Sequence, residues 1–298
     1  MGNDAIVISL INAKGGVGKT SISTNMSHVL SNAGYKVLHI DLDPQGSSSE
    51  LIKPCKENGN HLIKDEVYDL DMFSMLTQPV NMENYIFSTE YENLDIIPNA
   101  RSTKESFAAG SFDVQLERLN YEHKYTAFLN NIERIRGAYD YIIIDGQPSM
   151  NELMKLSVIA SDYVLTPTEA DLFNLSTVQD TANMIELCNK YFNRDVEYLG
   201  FFLNRVDLKD NAYEDVRAFY KQRASDYFID YPIRFSKSIN KAGLNGVLWL
   251  DYATKGFVIS FPNPLKDLLK LMYKELQIID DEHRDVLVRK GIKSSYFE

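Results

Sequence analysis

Residues 14–20 of the chain read Lys14-Gly15-Gly16-Val17-Gly18-Lys19-Thr20. Three glycines in the four positions 15–18 let successive backbone N–H groups converge on one point, because no Cβ stands in the way. Such a point attracts an anion. A lysine and a hydroxyl directly behind it supply a positive charge and a hard oxygen ligand, the combination that holds a phosphate chain and Mg2+. Three carboxylates join the candidates: Asp41, Asp43 and Asp145, each closing an apolar run. A strand-end aspartate standing alone is usually a turn residue. Three of them near a phosphate loop point instead to ligands for a divalent cation and to a group that orients an attacking water.

These residues need a scaffold, and the sequence supplies one. Ala5–Ile11 and Lys36–Ile40 are short apolar runs rich in β-branched residues, as in strands buried on both faces. Between them lie the glycine loop and a helical stretch, Lys19–Ala33, stopped by Gly34. Strand, helix, strand in this span is a right-handed βαβ unit. Further strands are expected at Leu94–Ile97, Tyr139–Ile144, Tyr163–Thr166 and Tyr198–Leu203. Helices are expected at about Tyr121–Arg136, Asn151–Ala160, Leu175–Phe192 and Tyr213–Tyr227. The alternation indicates an α/β, doubly wound, mostly parallel sheet with helices on both faces. Ligands bind such sheets at the carboxyl edge, where the three aspartates fall. One domain is expected over residues 1–279, with 53–92 a variable surface excursion and 280–298 a charged, peripheral tail. A helix with Asn263 as its N-cap and Pro264 at its first position puts Leu265, Leu268, Leu269, Met272 and Leu276 on one stripe.

Composition narrows the function. The chain has 298 residues with 44% hydrophobic and 24% charged content, ordinary for a globular protein. No apolar run is long enough to span a bilayer, and Met1–Leu10 lacks the basic leader of a signal peptide. The two cysteines, Cys55 and Cys188, have no metal-ligand spacing and suit a reducing cytosol. The net charge of −11 argues, taken alone, against a general nucleic-acid binder, because neutralising phosphates needs local Lys and Arg, but leaves room for a basic patch on one face.

The segments NAKGGVGKT at 12–20, DLDPQG at 41–46 and IIIDGQPS at 142–149 resemble the nucleotide motifs of the ParA/MinD family of deviant Walker ATPases. The resemblance covers residues 5–260 and implies a P-loop NTPase fold, with ATP and Mg2+ as cofactors. It implies that Lys14 is the signature lysine, reaching phosphate across a nucleotide-sandwich homodimer. Lys14, Gly15, Gly16, Val17, Gly18, Lys19, Thr20 and Ser21 would bind the nucleotide, with Lys14, Lys19 and Asp43 catalytic and Thr20, Asp41 and Asp145 on the Mg2+ side. Asn204 and Pro232 match positions near the adenine. Two departures stand out. Ala13 occupies the first glycine of the pattern G-x-x-x-x-G-K-[ST], and Gln147 replaces a proline after Asp145.

Two outputs occur in that family. Partition ATPases bind DNA non-specifically as ATP dimers and are stimulated by a centromere-binding, ParB-type adaptor; MinD-like proteins bind membrane through a C-terminal amphipathic helix. For DNA, the segment Arg217–Lys241 offers Arg217, Lys221, Arg223, Arg234, Lys237 and Lys241, with Lys255 nearby. For membrane, Lys266, Lys270 and Lys274 lie on one helix, but its apolar stripe is narrow and acids follow it. The expectation is therefore a cytoplasmic, nucleoid-associated DNA partition ATPase, with a MinD-like positioning ATPase as the alternative. Cysteines placed to bridge an iron–sulfur cluster and a tyrosine-rich tail are both lacking, against an electron-transfer or tyrosine-kinase relative.

Overall fold

The computed structural model describes residues 4–55, 60–61, 70–99, 116, 121–255 and 262–298. Seven strands form one sheet: β1 (Ile6–Leu10), β2 (Val37–Asp41), β3 (Phe87–Ser88), β4 (Leu94–Ile97), β5 (Tyr141–Asp145), β6 (Tyr163–Glu169) and β7 (Glu197–Asn204). Their order is β3-β4-β2-β5-β1-β6-β7, all parallel except β3, which pairs antiparallel with β4 at one edge. β1 lies between β5 and β6, so the loop that follows it emerges between the loops that follow its two neighbours.

Alternation along β1 assigns its side chains to two layers. Ile8 and Leu10 face a core shared with α1 (Lys19–Ala33), while Val7 belongs to the opposite core, built under α3 (Met72–Thr77), α4 (Tyr121–Ile135), α5 (Glu152–Ala160) and α6 (Asn174–Phe192). Between α1 and α3 runs the short α2 (Ser47–Ile52). A third cluster, including Phe201, Leu203 and Tyr220, sits under α7 (Asn211–Arg223) at the β7 edge. The chain then forms α8 (Lys237–Leu244), α9 (Trp249–Thr254), α10 (Asn263–Lys270) and α11 (Asp281–Arg289).

Two regions differ from the expectation. Within 53–92, residues 56–59 and 62–69 lie outside the described set. From 70 to 92, however, the chain is built into the fold: α3 buries Met72, Met75 and Leu76, and Asn131 of α4 donates to the carbonyls of Met75 and Gln78, both at 2.8 Å. The tail is also part of the core. Leu287, Ile292 and Phe297 are buried in the cluster around α1, and Asp280 caps α11 by accepting from the His283 amide. Few apolar residues among many charges made the tail read as peripheral, yet three buried side chains suffice to dock a short helix.

The stripe that begins on α10 packs inward, with Leu265, Leu268, Leu269 and Met272 fully buried and Leu276 half-buried, and beyond Lys270 the chain widens into a π-helix over Leu271–Glu275. The helix starts at Asn263 with Pro262, not Asn263, at the cap. With its apolar face inside the protein, this helix has none left for a lipid surface. Among the described residues no helix is long and apolar enough to cross a membrane.

Beneath α1 lie two buried imidazoles. The His39 Nδ1 pairs with the Ser27 hydroxyl at 2.9 Å, and His28 packs against Tyr91. Burial holds His28 down at about 4 and His39 at about 3. Both remain neutral in the folded chain at a pH where the unfolded chain takes up protons. The contribution of this pair to stability is therefore complete above about pH 6.5 and falls as the pH drops toward the folded values, by ~4 kcal/mol at pH 5. Urea unfolding at pH 7 and pH 5 of the native chain and of the variant carrying His28→Gln and His39→Gln isolates that contribution; the same shift of midpoint in both chains would contradict it.

Candidate nucleotide site at the carboxyl edge of the sheet

The loop from β1 to α1 turns on two glycines with left-handed backbone, Gly16 at φ 81° and Gly18 at φ 94°. At Gly18 space is as decisive as φ, since a Cβ there would come within 2.3 Å of the Asn204 Nδ2. Asn12 braces the loop entrance: its Oδ1 accepts from the Lys14 amide at 2.8 Å and its Nδ2 donates to the Pro167 carbonyl of β6 at 2.9 Å. The helix after the loop begins with no side-chain cap and no acidic residue in its first turn. Its free amides and positive pole thus face the loop, where an anion would satisfy them.

Lys19 is the charge at the centre. Its side chain is buried and its Nζ donates to the Lys14 carbonyl at 3.1 Å. Burial pushes its pKa down, opposed by the charges of Asp145 and Asp43. Lys14 lies at the rim, half-exposed, with its Nζ 3.4 Å from both Glu169 and Asp171 of its own chain.

β2 and β5 are neighbours in register, Asp41 opposite Asp145, which brings the two carboxylates side by side. Both are fully buried, and loss of water drives both pKa values up, that of Asp41 further because of the Asp145 charge. Their surroundings differ. Asp41 accepts from the Asp43 amide at 3.1 Å, the Ser49 amide at 2.9 Å and the Ser49 hydroxyl at 2.6 Å, so it organises the turn into α2. Asp145 has neither oxygen hydrogen-bonded. The Thr20 and Ser48 hydroxyls approach it closely enough to pull its pKa back, without the geometry of a bond, and the buried Ser48 Oγ is itself unpartnered. A buried carboxylate beside an unpartnered hydroxyl is costly unless a cation completes the set. The donor set fits Mg2+: hard oxygens from Thr20 and Asp145, with Asp41 behind. Among the described residues no group of three His, Cys, Asp or Glu side chains could cage a metal unaided, so phosphate or water oxygens must supply the remainder.

Asp43 lies at the wetter end. Its Oδ1 accepts from the Gln45 amide at 2.9 Å, and it lines a cleft of about 410 Å³ together with Gly16, Gly18, Lys19, Thr20 and Ser21. The far wall is Asn204, Arg205 and the segment Ile233–Ser236, with Trp249 and Pro148 beside them. Pro232 stands one residue before this wall and does not line it. Arg205, not among the expected site residues, has a left-handed backbone, φ 60°, and donates from Nη1 to the Gly16 carbonyl at 3.1 Å.

The basic candidates divide. Arg217 and Lys221 both pair with Asp230, at 2.6 and 2.5 Å. Arg234 is committed to Asp267 of α10 through its backbone amide, Nε and Nη2, and it also lines the cleft. That places it in a structural ion pair rather than on a free basic face, because its carboxylate partner, 33 residues on, was invisible to a count of local charges. Lys237 and Lys241 are exposed one turn apart on α8, unpaired among the described residues.

Comparison with known proteins agrees with this fold. A family model described as an AAA domain matches residues 5–198. The sporulation initiation inhibitor protein Soj of Bacillus subtilis is 29% identical, over 78% of this chain and 87% of its own. Among solved structures, the ATP complex of McdA from Cyanothece superposes with a TM-score of 0.74 at 19% identity, covering 94% of this chain and 99% of that one. A Borrelia burgdorferi putative plasmid partition protein bound to AMPPNP gives 0.63 at 20% identity, covering 96% and 99%. The chain belongs to the AAA-domain family, and within it to the ParA/Soj-type P-loop ATPases.

Proposed function

We propose that this protein is a MgATP-dependent partition switch, which pairs with a second copy around ATP, binds duplex DNA without sequence preference in that state, and lets go after slow hydrolysis stimulated by a ParB-type, centromere-binding adaptor. The observation that carries the nucleotide part is Asp145, a buried carboxylate with no hydrogen bond, set beside Thr20 and below the glycine loop. The loop amides and Lys19 hold the β- and γ-phosphates. Thr20 and Asp145 would hold Mg2+, which when bound neutralises phosphate charge. Asp43, in the open cleft, orients the attacking water. Lys14 supports pairing: held at the rim by two acids of its own chain, it would exchange them for a phosphate of the partner's nucleotide. Slow basal turnover is expected, since of the two arginines that line the cleft among the described residues Arg234 is held by Asp267 and Arg205 donates to the Gly16 carbonyl of the loop.

The DNA part rests on Lys237 and Lys241, doubled by pairing. Anisotropy of a labelled non-specific duplex, with MgATP, MgADP or no nucleotide, tests it. Binding is expected with MgATP alone and should weaken steeply with salt. The variant carrying Lys237→Glu and Lys241→Glu should bind DNA about tenfold or more weakly, with a salt slope smaller by about 1 per lost phosphate contact. Its ATP affinity should be native. Unchanged DNA binding would clear these lysines. Liposome sedimentation in the absence of DNA binding would favour the MinD-like alternative, against which the buried stripe of α10 speaks.

A further inference from the structure

The far wall of the cleft is an extended segment bonded on both sides. Toward β7, the Ile233 amide donates to the Leu203 carbonyl and the Phe235 amide to the Val206 carbonyl, both at 2.8 Å. Toward α10, the Arg234 amide donates to Asp267 at 2.9 Å, and the same carboxylate accepts from the Arg234 Nε at 2.8 Å and Nη2 at 2.5 Å. We propose that Asp267 is a positioning residue which fixes this wall for the nucleoside end of the nucleotide, with the Phe235 ring as the face that the base meets. The proposal rests on the reading that the loop at 14–20 holds the phosphates.

Successive amides of an extended chain point to opposite sides. Those of Ile233 and Phe235 reach β7, so that of Arg234 points away from the sheet and needs a partner there. Asp267 supplies it from a fixed platform, since Leu265, Leu268 and Leu269 around it on α10 are fully buried. Asp267 is itself only 3% exposed. Apolar side chains would hold α10 against the segment about as well as a buried ion pair does. What the carboxylate adds is direction: it grips the main chain and the side chain of one residue together, which sets the path of the wall.

That wall is what the cleft offers to a base. With the phosphates on the loop amides and Lys19, the rest of the ligand lies in a cleft of about 410 Å³ whose lining includes Ile233, Arg234 and Phe235. Phe235 is 40% exposed although its backbone is bonded into the wall. An aromatic ring held open on a fixed backbone beside a ligand cleft is a stacking surface for a planar base. Stacking needs the ring at one height and one tilt, which a loose segment does not provide. The grip of Asp267 on the preceding residue provides it.

The test uses the full chain with Asp267→Asn, which keeps the shape and removes the charge, and with Phe235→Ala. Binding is measured for MgATP and for magnesium tripolyphosphate, which has the phosphates but no base. Hydrogen exchange at residues 233–236 is followed without ligand. Both variants are expected to bind MgATP about tenfold more weakly and tripolyphosphate as the native chain does. Asp267→Asn should also speed exchange in the wall. An ion pair that serves stability alone would lower the melting temperature and leave the ratio of the two affinities native. That ratio unchanged in Asp267→Asn overturns the proposal, as does native exchange in the wall or native ATP affinity in Phe235→Ala. Should Asp267→Asn fail to fold, the double variant Arg234→Met with Asp267→Leu, which replaces the pair by apolar side chains, decides the positioning role by the same ratio. A native chain that binds neither ligand sinks the nucleotide reading and the proposal with it, whereas failure of the proposal alone leaves both ligands bound by the native chain.

Discussion

Replacing Lys19 by alanine is expected to abolish ATP turnover and to weaken MgATP binding by about a hundredfold or more. The side chain is buried with its Nζ on the Lys14 carbonyl, and Asp145 and Asp43 lie near enough to shift it. A charge so desolvated interacts strongly with a triphosphate, and truncating one member of a buried charged pair costs about 2–5 kcal/mol. Its loss also removes the cation that offsets Asp145, so the buried carboxylate should become still harder to ionise. The fold should survive, because the core on either face of β1 is made by Ile8, Leu10, Val7 and their neighbours and not by this lysine. Calorimetric titration with MgATP and a phosphate-release assay measure the effect. A variant with native affinity and turnover would remove the loop from the account.

The second large effect is at Asp43. Asp43→Ala should leave ATP bound and cut hydrolysis by about 10²–10⁴, the usual contribution of a positioned acid–base group. Asp41 and Asp145 are sealed at the dry end of the site, one spent on Ser49 and the Asp43 amide, the other facing Thr20. Asp43 alone of the three faces the open cleft, where a water can stand. Blocking the chemical step without blocking binding should trap the ATP-bound pair, seen as a dimer by light scattering that persists for many native turnover times. A variant that hydrolyses at the native rate would relieve Asp43 of this role.

Much of this was legible in the chain itself. The glycine spacing, the buried strand before it and the aspartates at strand ends are local patterns, and the sheet assembled them as their periodicity required. Short helices such as α2 and α9 were not, since six residues are too few to display a helical period. The tail carries little signal of its docking, which depends on three apolar residues among charges. Arg234 looked like part of a basic run, and only the folded chain brings Asp267 to it. Arg205 carried no signal at all: its role depends on a left-handed backbone and on a carbonyl 189 residues away.

The loop at 14–20 and the carboxylate at 145 are expected to hold one ligand together, a triphosphate with its cation. A crystal grown with AMPPNP and Mn2+ in place of Mg2+ tests it directly through the anomalous signal of the metal. A single strong peak coordinated by Thr20 Oγ1, beside Asp145 and touching the β- and γ-phosphates under Lys19, is the result expected. Nucleotide bound elsewhere, or phosphates in the loop with no metal between them and Asp145, would contradict it.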